Sequence, residues 1–283
     1  MKKVLLTGAG GFVGARIADQ WQGRFVLCTF PQGFAAAAEE SAVRRLIDRE
    51  HPDVIVHAAA LSNTAFCAAH PEESYRANVL LPEWVAKGAA ETGAKLLAFS
   101  SDQVYAGVET EGPLPEALSL SPTNVYGQHK LEAEARVQAV CPGAVLLRAA
   151  WMYDLPGRQL PIRGNLPLNL LDAAQNGVPL RFSENDHRGV SYVREVVEKL
   201  IPAMELPGGV YNFGSGNDVN MFDTAARFAR MLHADVTLEK DHWTRNLVMD
   251  GQKLAAFGIR FDSTLDAFAR CLNDYKLPDY KLP

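Results

Sequence analysis

Two short segments of the chain carry side chains that could transfer protons. The first, FSSDQVYAG at residues 99–107, places two hydroxyls, a carboxylate and an amide where a buried strand is predicted to end. Its Ser101–Asp102 pair could act on a substrate, or it could form a turn that caps the strand. The second, SPTNVYGQHKLEAEA, puts Tyr126 and Lys130 four residues apart on a predicted helix, so both side chains project from one face.

The Tyr–Lys spacing suits acid–base chemistry. A tyrosine with its ordinary pKa of about 10 is a poor acid or base at neutral pH, and a nearby ammonium group stabilises its phenolate. The same spacing also occurs by chance in many helices, where it is an ordinary surface pair. Its place in the chain, after a glycine-rich turn and after the hydroxyl-bearing SSD, favours a functional pair.

A third segment could bind phosphate. Gly8, Gly11 and Gly14 form a GxxGxxG array in VLLTGAGGFVGARI, between a predicted strand and a predicted helix. Such glycines permit a tight turn, close approach of the backbone to a pyrophosphate and close packing of helix on strand, while the helix N-terminus offers free N–H groups. The array predicts a dinucleotide site; the alternative is a turn that serves packing alone.

The end of the second strand bears on the choice of cofactor. An acidic residue there reads the adenosine ribose and favours NAD, and its absence allows NADP. The segment CTFPQG, residues 28–33, contains no carboxylate, so NADP(H) is preferred over NAD(H). Arg16 is the nearest candidate to meet the extra phosphate, and the competing interpretation makes it a solvated helix residue.

The elements that must position these segments follow from the apolar runs. KVLLT, RFVLCT, DVIVHAA, AKLLAFS and AVLLR alternate with longer helical stretches. Runs that are apolar at nearly every residue, separated by helices, predict a parallel sheet covered on both faces, and hence a Rossmann-like, doubly wound α/β fold. We expect a dinucleotide-binding domain at 1–153, with later segments returning to it, and mainly a smaller substrate-binding lobe at 154–283. The tandem DYKLP at the end predicts an extended tail.

Composition excludes several classes of function. The 283 residues carry a net charge of −5, which gives no basic surface for nucleic acid, and no apolar run is long enough to span a membrane. The four cysteines lie far apart without a CxxC, which fits a reducing compartment. The N-terminal MKKVLLTGAGGF runs into glycines rather than a signal cleavage site, which predicts a cytoplasmic location. The absence of clustered ligands predicts no catalytic metal. His57 is expected to be a satisfied core residue and His129 a solvated helix position.

Five segments together resemble a known family. TGAGGFVG, PDVIVHAAA, HPEESYRANVLLPEWVAKGAAETGAKLLAFSSDQVYAG, PTNVYGQHKLEAE and LLRAAWMY, in that order through Tyr153, are similar to the extended short-chain dehydrogenase/reductases, and specifically to the dTDP-4-dehydrorhamnose reductase family. The resemblance implies an NAD(P)-dependent reductase of a nucleotide-linked 4-keto sugar.

The resemblance also implies the site residues. The catalytic set falls on Ser101, Tyr126 and Lys130. Cofactor contacts are expected at the glycine array, at the turn after DVIVH and at two of the catalytic side chains: Gly8, Gly11, Phe12, Val13, Gly14, Ala58, Ala59, Ala60, Tyr126 and Lys130. Asn78 would support a helix near the cofactor. Substrate contacts are expected at Asp102, Trp151 and Arg188.

In such a reductase Ser101 would hydrogen-bond the C4 carbonyl oxygen of the sugar, and Tyr126 would donate a proton to it as the nicotinamide delivers hydride. Lys130 would hold the ribose and lower the pKa of the tyrosine. The related 4,6-dehydratases carry Thr-Asp-Glu where this chain has Ser101, Asp102 and Gln103. Because an amide cannot act as a base near neutral pH, dehydration is disfavoured.

The second half of the chain departs from the family pattern. NDHRGVSYVREVVEKL keeps Asp186 but has Ser191 and Tyr192 where a Pro-Thr pair is usual. The same stretch resembles the segment that sugar-nucleotide epimerases use near the nucleotide phosphates, and Arg188 is the matching residue. WTRNLVMD keeps the family's Asn and acid, at Asn246 and Asp250, but has Trp-Thr in place of Arg-Pro.

Two other functions stay open at this point. One is a sugar-nucleotide epimerase with tightly bound NAD, which would use the same residues. The other is a non-catalytic NADP-binding regulatory subunit, like the beta subunit of methionine adenosyltransferase. A nucleotide sugar is the expected small-molecule partner, and a homodimer is left open.

Overall fold

The computed structural model of the chain describes residues 1–276. In chain order its strands are β1 (Lys3–Thr7), β2 (Val26–Thr29), β3 (Val54–His57), β4 (Lys95–Ser101), β5 (Val145–Ala149), β6 (Trp151–Tyr153), β7 (Leu180–Ser183), β8 (Asp186–Arg188), β9 (Val190–Tyr192), β10 (Gly209–Phe213), β11 (Leu238–Asp241) and β12 (Arg245–Leu247).

The α-helices are α1 (Phe12–Trp21), α2 (Phe34–Ala37), α3 (Glu40–Glu50), α4 (Thr64–Ala69), α5 (Pro71–Tyr75), α6 (Leu81–Thr92), α7 (Val125–Val140), α8 (Leu166–Asn176), α9 (Val193–Ala203), α10 (Met221–Met231), α11 (Gln252–Ala255) and α12 (Thr264–Asp274). A π-helical segment, Arg76–Leu80, joins α5 to α6, and a 3-10 turn, Asp102–Tyr105, follows β4.

The principal sheet is parallel throughout. Within the described residues it has the order β10-β5-β4-β3-β1-β2, so the chain reverses its direction of travel across the sheet at β1. The register pairs Thr7 at the end of β1 with His57 at the end of β3. Ligands of open α/β sheets bind at such a reversal, outside the carboxyl ends of the strands. The predicted doubly wound fold is confirmed.

Helices cover both faces of the sheet, as the continuous apolar runs predict. On one face Leu6 packs in a core with Trp21 of α1 and Val197 of α9. On the other face Leu5 and its neighbours pack against α3, α6 and α7. Each large side chain buried in this way contributes about 1.5–3 kcal/mol, and the two cores hold the strand ends at a common edge.

A smaller lobe with its own core follows β5, although β10 returns to the sheet beside β5. In that core the rings of Phe228 and Phe268 stack with centroids 3.8 Å apart, and Tyr153 packs edge-on against both. The short strand pairs β6–β9, β8–β12 and β7–β11 belong to this half of the chain. The division into domains at residue 153 stays a prediction.

A buried ion pair ties α1 to the start of the lobe. Arg16, 1% exposed, donates from Nε to Asp154 Oδ2 at 2.6 Å and from Nη1 to the carbonyl oxygens of Phe12 and Pro161 at 2.7 and 2.8 Å. Both sequence interpretations of Arg16 are therefore wrong, because the guanidinium is neither solvated nor available to a cofactor phosphate. Its partner lies 138 residues away, beyond the reach of a local pattern.

The last seven residues, 277–283, lie outside the described part of the chain, and so does most of the tandem DYKLP on which the tail prediction falls. Across residues 1–276, no helix is both long and apolar enough to cross a bilayer.

The Arg16–Asp154 pair predicts a large cost for Asp154→Asn. Removing one partner leaves a buried charge uncompensated, so we expect the free energy of unfolding to fall by about 3 kcal/mol in chemical denaturation. Asp19→Asn is the matched control, because Asp19 pairs with Arg194 at the surface and its loss should cost less than about 1 kcal/mol. Equal losses for the two variants would contradict the assignment.

Candidate active site

Ser101 lies where β4 ends and serves the turn that follows. Its Oγ accepts a hydrogen bond from the backbone N–H of Gln103 at 3.2 Å and donates to Asp102 Oδ1 at 3.1 Å. The FSSDQVYAG segment therefore comprises the end of β4 and a 3-10 turn that Ser101 caps. The hydroxyl of Ser101 nevertheless lines a cavity at the carboxyl edge of the sheet, so the capping role does not remove it from the site.

The first turns of α7 bring Tyr126 and Lys130 to the same cavity. Asn124 caps the helix by accepting from the N–H of Gly127 at 2.8 Å, and Lys130 Nζ donates to the carbonyl oxygen of Phe99 at 2.9 Å. The ammonium lies 5.8 Å from the centre of the Tyr126 ring. Both side chains are buried, so the helix spacing places them together as the sequence predicts, and β4 fixes the lysine.

Burial shifts both pKa values away from the charged forms. It raises the pKa of the Tyr126 phenol well above its ordinary value, with the interaction with Ser101 opposing the rise, so the phenol holds its proton at neutral pH. Burial lowers the pKa of Lys130 to about 8, and the nearby Glu134 carboxylate opposes that shift. The pair is thus a protonated phenol beside a lysine that can change charge just above neutral pH.

A buried network behind the cavity joins the elements that carry these residues. Arg148 of β5 donates from Nη2 to Glu134 of α7 at 2.7 Å, and Ser100 of β4 donates to the same carboxylate at 2.5 Å. Arg148 also donates to the hydroxyl of Tyr105 at 2.8 Å, which in turn donates to Asn212 of β10. Sequence reasoning missed this network, although Glu134 follows Lys130 at helical spacing on α7.

The three residues predicted to contact substrate form one cluster. Arg188 Nη2 donates to Asp102 Oδ2 at 2.5 Å, and its guanidinium lies 5.1 Å from the centre of the Trp151 ring. Gln103 Nε2 donates to the other oxygen of Asp102 at 3.4 Å. Within the described residues the buried Nε of Arg188 has no hydrogen-bond partner, so one N–H donor of the guanidinium is unpaired.

Arg245 supplies a guanidinium that the sequence comparison did not assign. It lies one residue beyond the Trp-Thr that replaces the family's Arg-Pro, and it binds Asp186 with two hydrogen bonds, of 2.8 and 2.7 Å. Its guanidinium lies 4.8 Å from the centre of the Trp243 ring. Asn246 and Asp250, by contrast, bind backbone groups at Thr110, Gly112 and Gln252. The sequence could have indicated this residue, because Arg245 lies inside WTRNLVMD, where the family pattern has an arginine two residues earlier.

These side chains surround a cavity of about 330 Å³. Its walls include, from the predicted sites, Gly11, Phe12, Val13, Ala58, Ala60, Ser101, Asp102, Tyr126, Lys130, Trp151 and Arg188, and beyond them Ser62, Gln103, Arg163 and Arg245. A second cavity, of about 1170 Å³, shares Gln103 and Arg245 with the first and extends along residues 106–113. A ligand longer than a single sugar could therefore occupy both.

The glycine turn is built for close approach. Gly8 has a φ of +72°, and a Cβ there would lie 2.7 Å from the backbone nitrogen of Ala59. A Cβ on Gly14 would lie 2.0 Å from the carbonyl oxygen of Gly8. Gly8, Gly14 and Ala59 thus serve packing behind the cavity. In the described part of the chain no side chain caps α1 at Gly11, which leaves its first N–H groups to an anion.

The neighbouring polar residues shape the turn after β3. Thr7 Oγ1 accepts from the N–H of Ala58 at 3.2 Å and bonds His57 Nδ1 at 2.8 Å, while burial lowers the pKa of His57 to about 3. His57 is therefore a neutral residue of the core, as expected, but it is only half satisfied, because within the described residues its buried Nε2 has no hydrogen-bond partner. Asn78 bonds both backbone groups of Leu61, so it fixes the loop beyond the turn.

His129 differs from expectation. It is half-buried, its Nδ1 bonds Ser74 Oγ at 2.8 Å, and its ring packs edge-on against Tyr75, so the prediction of a solvated position is wrong. Among residues 1–276, the structure holds no group of three or more His, Cys, Asp or Glu side chains arranged to bind a metal.

The chain is similar in sequence to one known protein family and to several named proteins. The RmlD substrate binding domain family matches residues 1–249. The dTDP-4-dehydrorhamnose reductase of Salmonella typhimurium is 37% identical over 204 residues, covering 69% of this chain and 66% of that protein. Methionine adenosyltransferase 2 subunit beta of Xenopus laevis is 34% identical over 160 residues, covering 54% of this chain and 47% of that protein.

Among solved structures, dTDP-4-dehydrorhamnose reductase from Bacillus anthracis in complex with NADP superposes with a TM-score of 0.86 at 19% identity, covering 97% of this chain and 99% of that one. At that identity the likeness shows the fold. The family match extends over most of the chain, and it includes the glycine turn, the Ser101 turn and the Tyr–Lys helix. The chain belongs to the RmlD substrate binding domain family of extended short-chain dehydrogenase/reductases.

Proposed function

We propose that the protein is an NADPH-dependent reductase of a nucleotide-linked 4-keto sugar. The observation that carries the proposal is the meeting of Ser101, a protonated Tyr126 and Lys130 in one cavity, beside the N-terminus of α1. The residues around the glycine turn fit a nicotinamide dinucleotide, which would be held by α1, by the Ala58 to Ala60 turn and by Tyr126 and Lys130. When bound, this cofactor supplies hydride.

In this proposal the side chains of Tyr126, Lys130 and Ser101 act on the carbonyl oxygen of the substrate. Tyr126 donates its proton to the carbonyl oxygen of the substrate, and Lys130, anchored on the carbonyl of Phe99, stabilises the resulting phenolate. Ser101 turns its hydroxyl from Asp102 to the same carbonyl oxygen. Asp102 can release it because Arg188 still donates to that carboxylate. Hydrogen bonds to a charge that grows in the transition state are those that raise the rate.

The proposed substrate side of the cavity carries two guanidinium groups. Arg188 and Arg245 both line the cavity, and each is neutralised by one buried carboxylate. Arginine presents its donors in a fixed fork that suits phosphate oxygens. The two guanidiniums, with Trp151 and Trp243 beside them, therefore support a nucleotide sugar whose phosphates lie near the boundary of the two cavities.

The preference for NADP(H) over NAD(H) belongs to this proposal. It rests on the segment CTFPQG, residues 28–33, in which β2 ends at Thr29 and which contains no carboxylate. A cytoplasmic location, drawn from the sequence, stays a prediction, and a homodimer stays open.

Tyr126→Phe should lower kcat for NADPH-dependent reduction of a nucleotide-linked 4-keto sugar by about 10²- to 10⁴-fold, because it removes the proton donor. NADPH affinity, measured by fluorescence titration, should change little. Tyr75→Phe is the control, since Tyr75 bonds Glu132 outside the cavity and should leave kcat unchanged.

A wild-type protein that oxidises no NADPH with any such sugar would refute the reaction. Bound cofactor that copurifies, without net NADPH consumption, would favour the epimerase. A stable complex with another protein, whose activity survives Tyr126→Phe, would favour the regulatory subunit.

The lowered pKa of Lys130 predicts that the rate of reduction depends on pH. Its pKa in the folded protein is about 8, so the ammonium is lost as pH rises through that value, and the phenolate of Tyr126 loses its stabilising charge. We expect kcat/KM for reduction to fall above about pH 8, because this parameter reports the free enzyme. A steady-state profile from about pH 6 to about pH 10 tests this, and a level profile through pH 8 would contradict it.

Gly14→Ala should weaken NADPH binding about tenfold or more, because the added Cβ meets the carbonyl oxygen of Gly8 and pushes α1 from the turn. Fluorescence titration measures the change, and parallel titration with NADH measures the cofactor preference. Gly143→Ala is the control, since a Cβ there has open space among the described residues. Unchanged NADPH affinity in Gly14→Ala would refute the role of the turn.

A further inference from the structure

Arg163 reaches from the lobe to the cofactor side of the cavity. It lies in the loop between β6 and α8, and its Nη1 donates to Ser62 Oγ at 2.7 Å. Its guanidinium also lies 5.0 Å from the centre of the Phe12 ring. Phe12 is the first residue of α1, and Ser62 follows the Ala58 to Ala60 turn. Arg163 therefore spans both walls of the proposed dinucleotide groove.

Buried contacts on both sides hold this loop in place. Arg16 binds the carbonyl oxygen of Pro161, two residues before Arg163, while it also binds Phe12 and Asp154. Asn165, two residues after Arg163, donates to the carbonyl oxygens of Asp154 and Arg163 at 3.0 and 3.1 Å. The backbone of Arg163 is thereby fixed relative to the N-terminus of α1, and its side chain is exposed within the cleft.

Arg163 differs from the other two arginines of the cavity, Arg188 and Arg245, in having no carboxylate to neutralise its charge among the described residues. Arg188 and Arg245 each bind a carboxylate, Asp102 and Asp186. Across residues 1–276, no Asp or Glu lies within ion-pair distance of Arg163. Ser62 offers it a neutral oxygen, which a stronger acceptor can replace.

Two positive features thus face one space. The uncapped N-terminus of α1 attracts an anion through its N–H groups and its helix dipole, and the guanidinium of Arg163 stands over the first residue of that helix. Planar guanidinium donors match phosphate oxygens in pairs. A group with two linked phosphates could meet the helix end with one and Arg163 with the other.

We propose that Arg163 binds the diphosphate of the dinucleotide cofactor, against the N-terminus of α1. The inference rests on the proposed dinucleotide site. The diphosphate of a nucleotide sugar has the same chemistry, but the second cavity, where such a substrate would continue, is lined by Arg245 and not by Arg163. The contacts with Phe12 and Ser62 place Arg163 on the cofactor side.

Equilibrium titrations of the full chain test the proposal without turnover. Arg163→Gln should weaken NADPH and ADP-ribose binding about tenfold, since it removes a charged hydrogen bond. It should leave the affinity for dTDP, a probe of the substrate side, unchanged. The dependence of NADPH affinity on salt should also weaken, because one cation no longer faces the phosphates.

Arg158→Gln is the matched control, because it removes the same charge from the same loop. Arg158 lies beside Tyr275, away from the cavity walls, so NADPH affinity should not change. Arg163→Lys keeps the positive charge but loses the planar pair of N–H donors. It should therefore bind NADPH with an affinity between those of the wild type and Arg163→Gln.

Three outcomes would overturn the proposal: NADPH affinity unchanged in Arg163→Gln, dTDP affinity lost while NADPH affinity is kept, or an equal loss in Arg158→Gln. A wild-type protein that binds NADPH yet reduces no keto sugar would refute the proposed reaction and leave this inference standing. Unchanged NADPH affinity in Arg163→Gln would refute the inference and leave the reaction standing.

Discussion

The buried pair between Arg148 and Glu134 is the interaction on which the geometry of the site depends. Both side chains are about 5% exposed or less, and burying two charges is unfavourable unless each is fully hydrogen-bonded. Ser100 and Tyr105 complete the set, so the network joins β4, β5, α7 and the turn after Ser101. Those elements carry the proposed proton donor, the lysine and the serine. A network of this kind fixes positions more than it adds stability.

The charges in the cleft are distributed unevenly. On the substrate side two arginines are held by carboxylates, which fixes their direction and leaves each complex nearly neutral. On the proposed cofactor side the uncapped end of α1 and Arg163 are both positive. The end of the cleft beside the glycine turn therefore offers an anion positive charge that is less compensated than that of Arg188 and Arg245.

The fold and the meeting of Ser101, Tyr126 and Lys130 in one cavity could be predicted from the sequence because both follow from short-range patterns. Continuous apolar runs indicate parallel strands, and residues after parallel strands meet at one edge, which is how Ser101 comes to lie beside Tyr126. Arg16, Arg163 and Arg245 could not be placed in this way. Their positions depend on partners far along the chain or on an irregular loop rich in proline and glycine, for which no periodicity exists.

The network around Glu134 also constrains how this sequence can evolve. Ser100 and Arg148 both bind the Glu134 carboxylate, and Arg148 also binds the hydroxyl of Tyr105. The effects of substitutions on the free energy of unfolding will therefore not add among these residues, because loss of one partner leaves a buried charge unpaired. A change at one position is tolerated best when a second change removes the stranded group. The residues of this network are therefore expected to vary as a set, through epistasis, rather than one at a time.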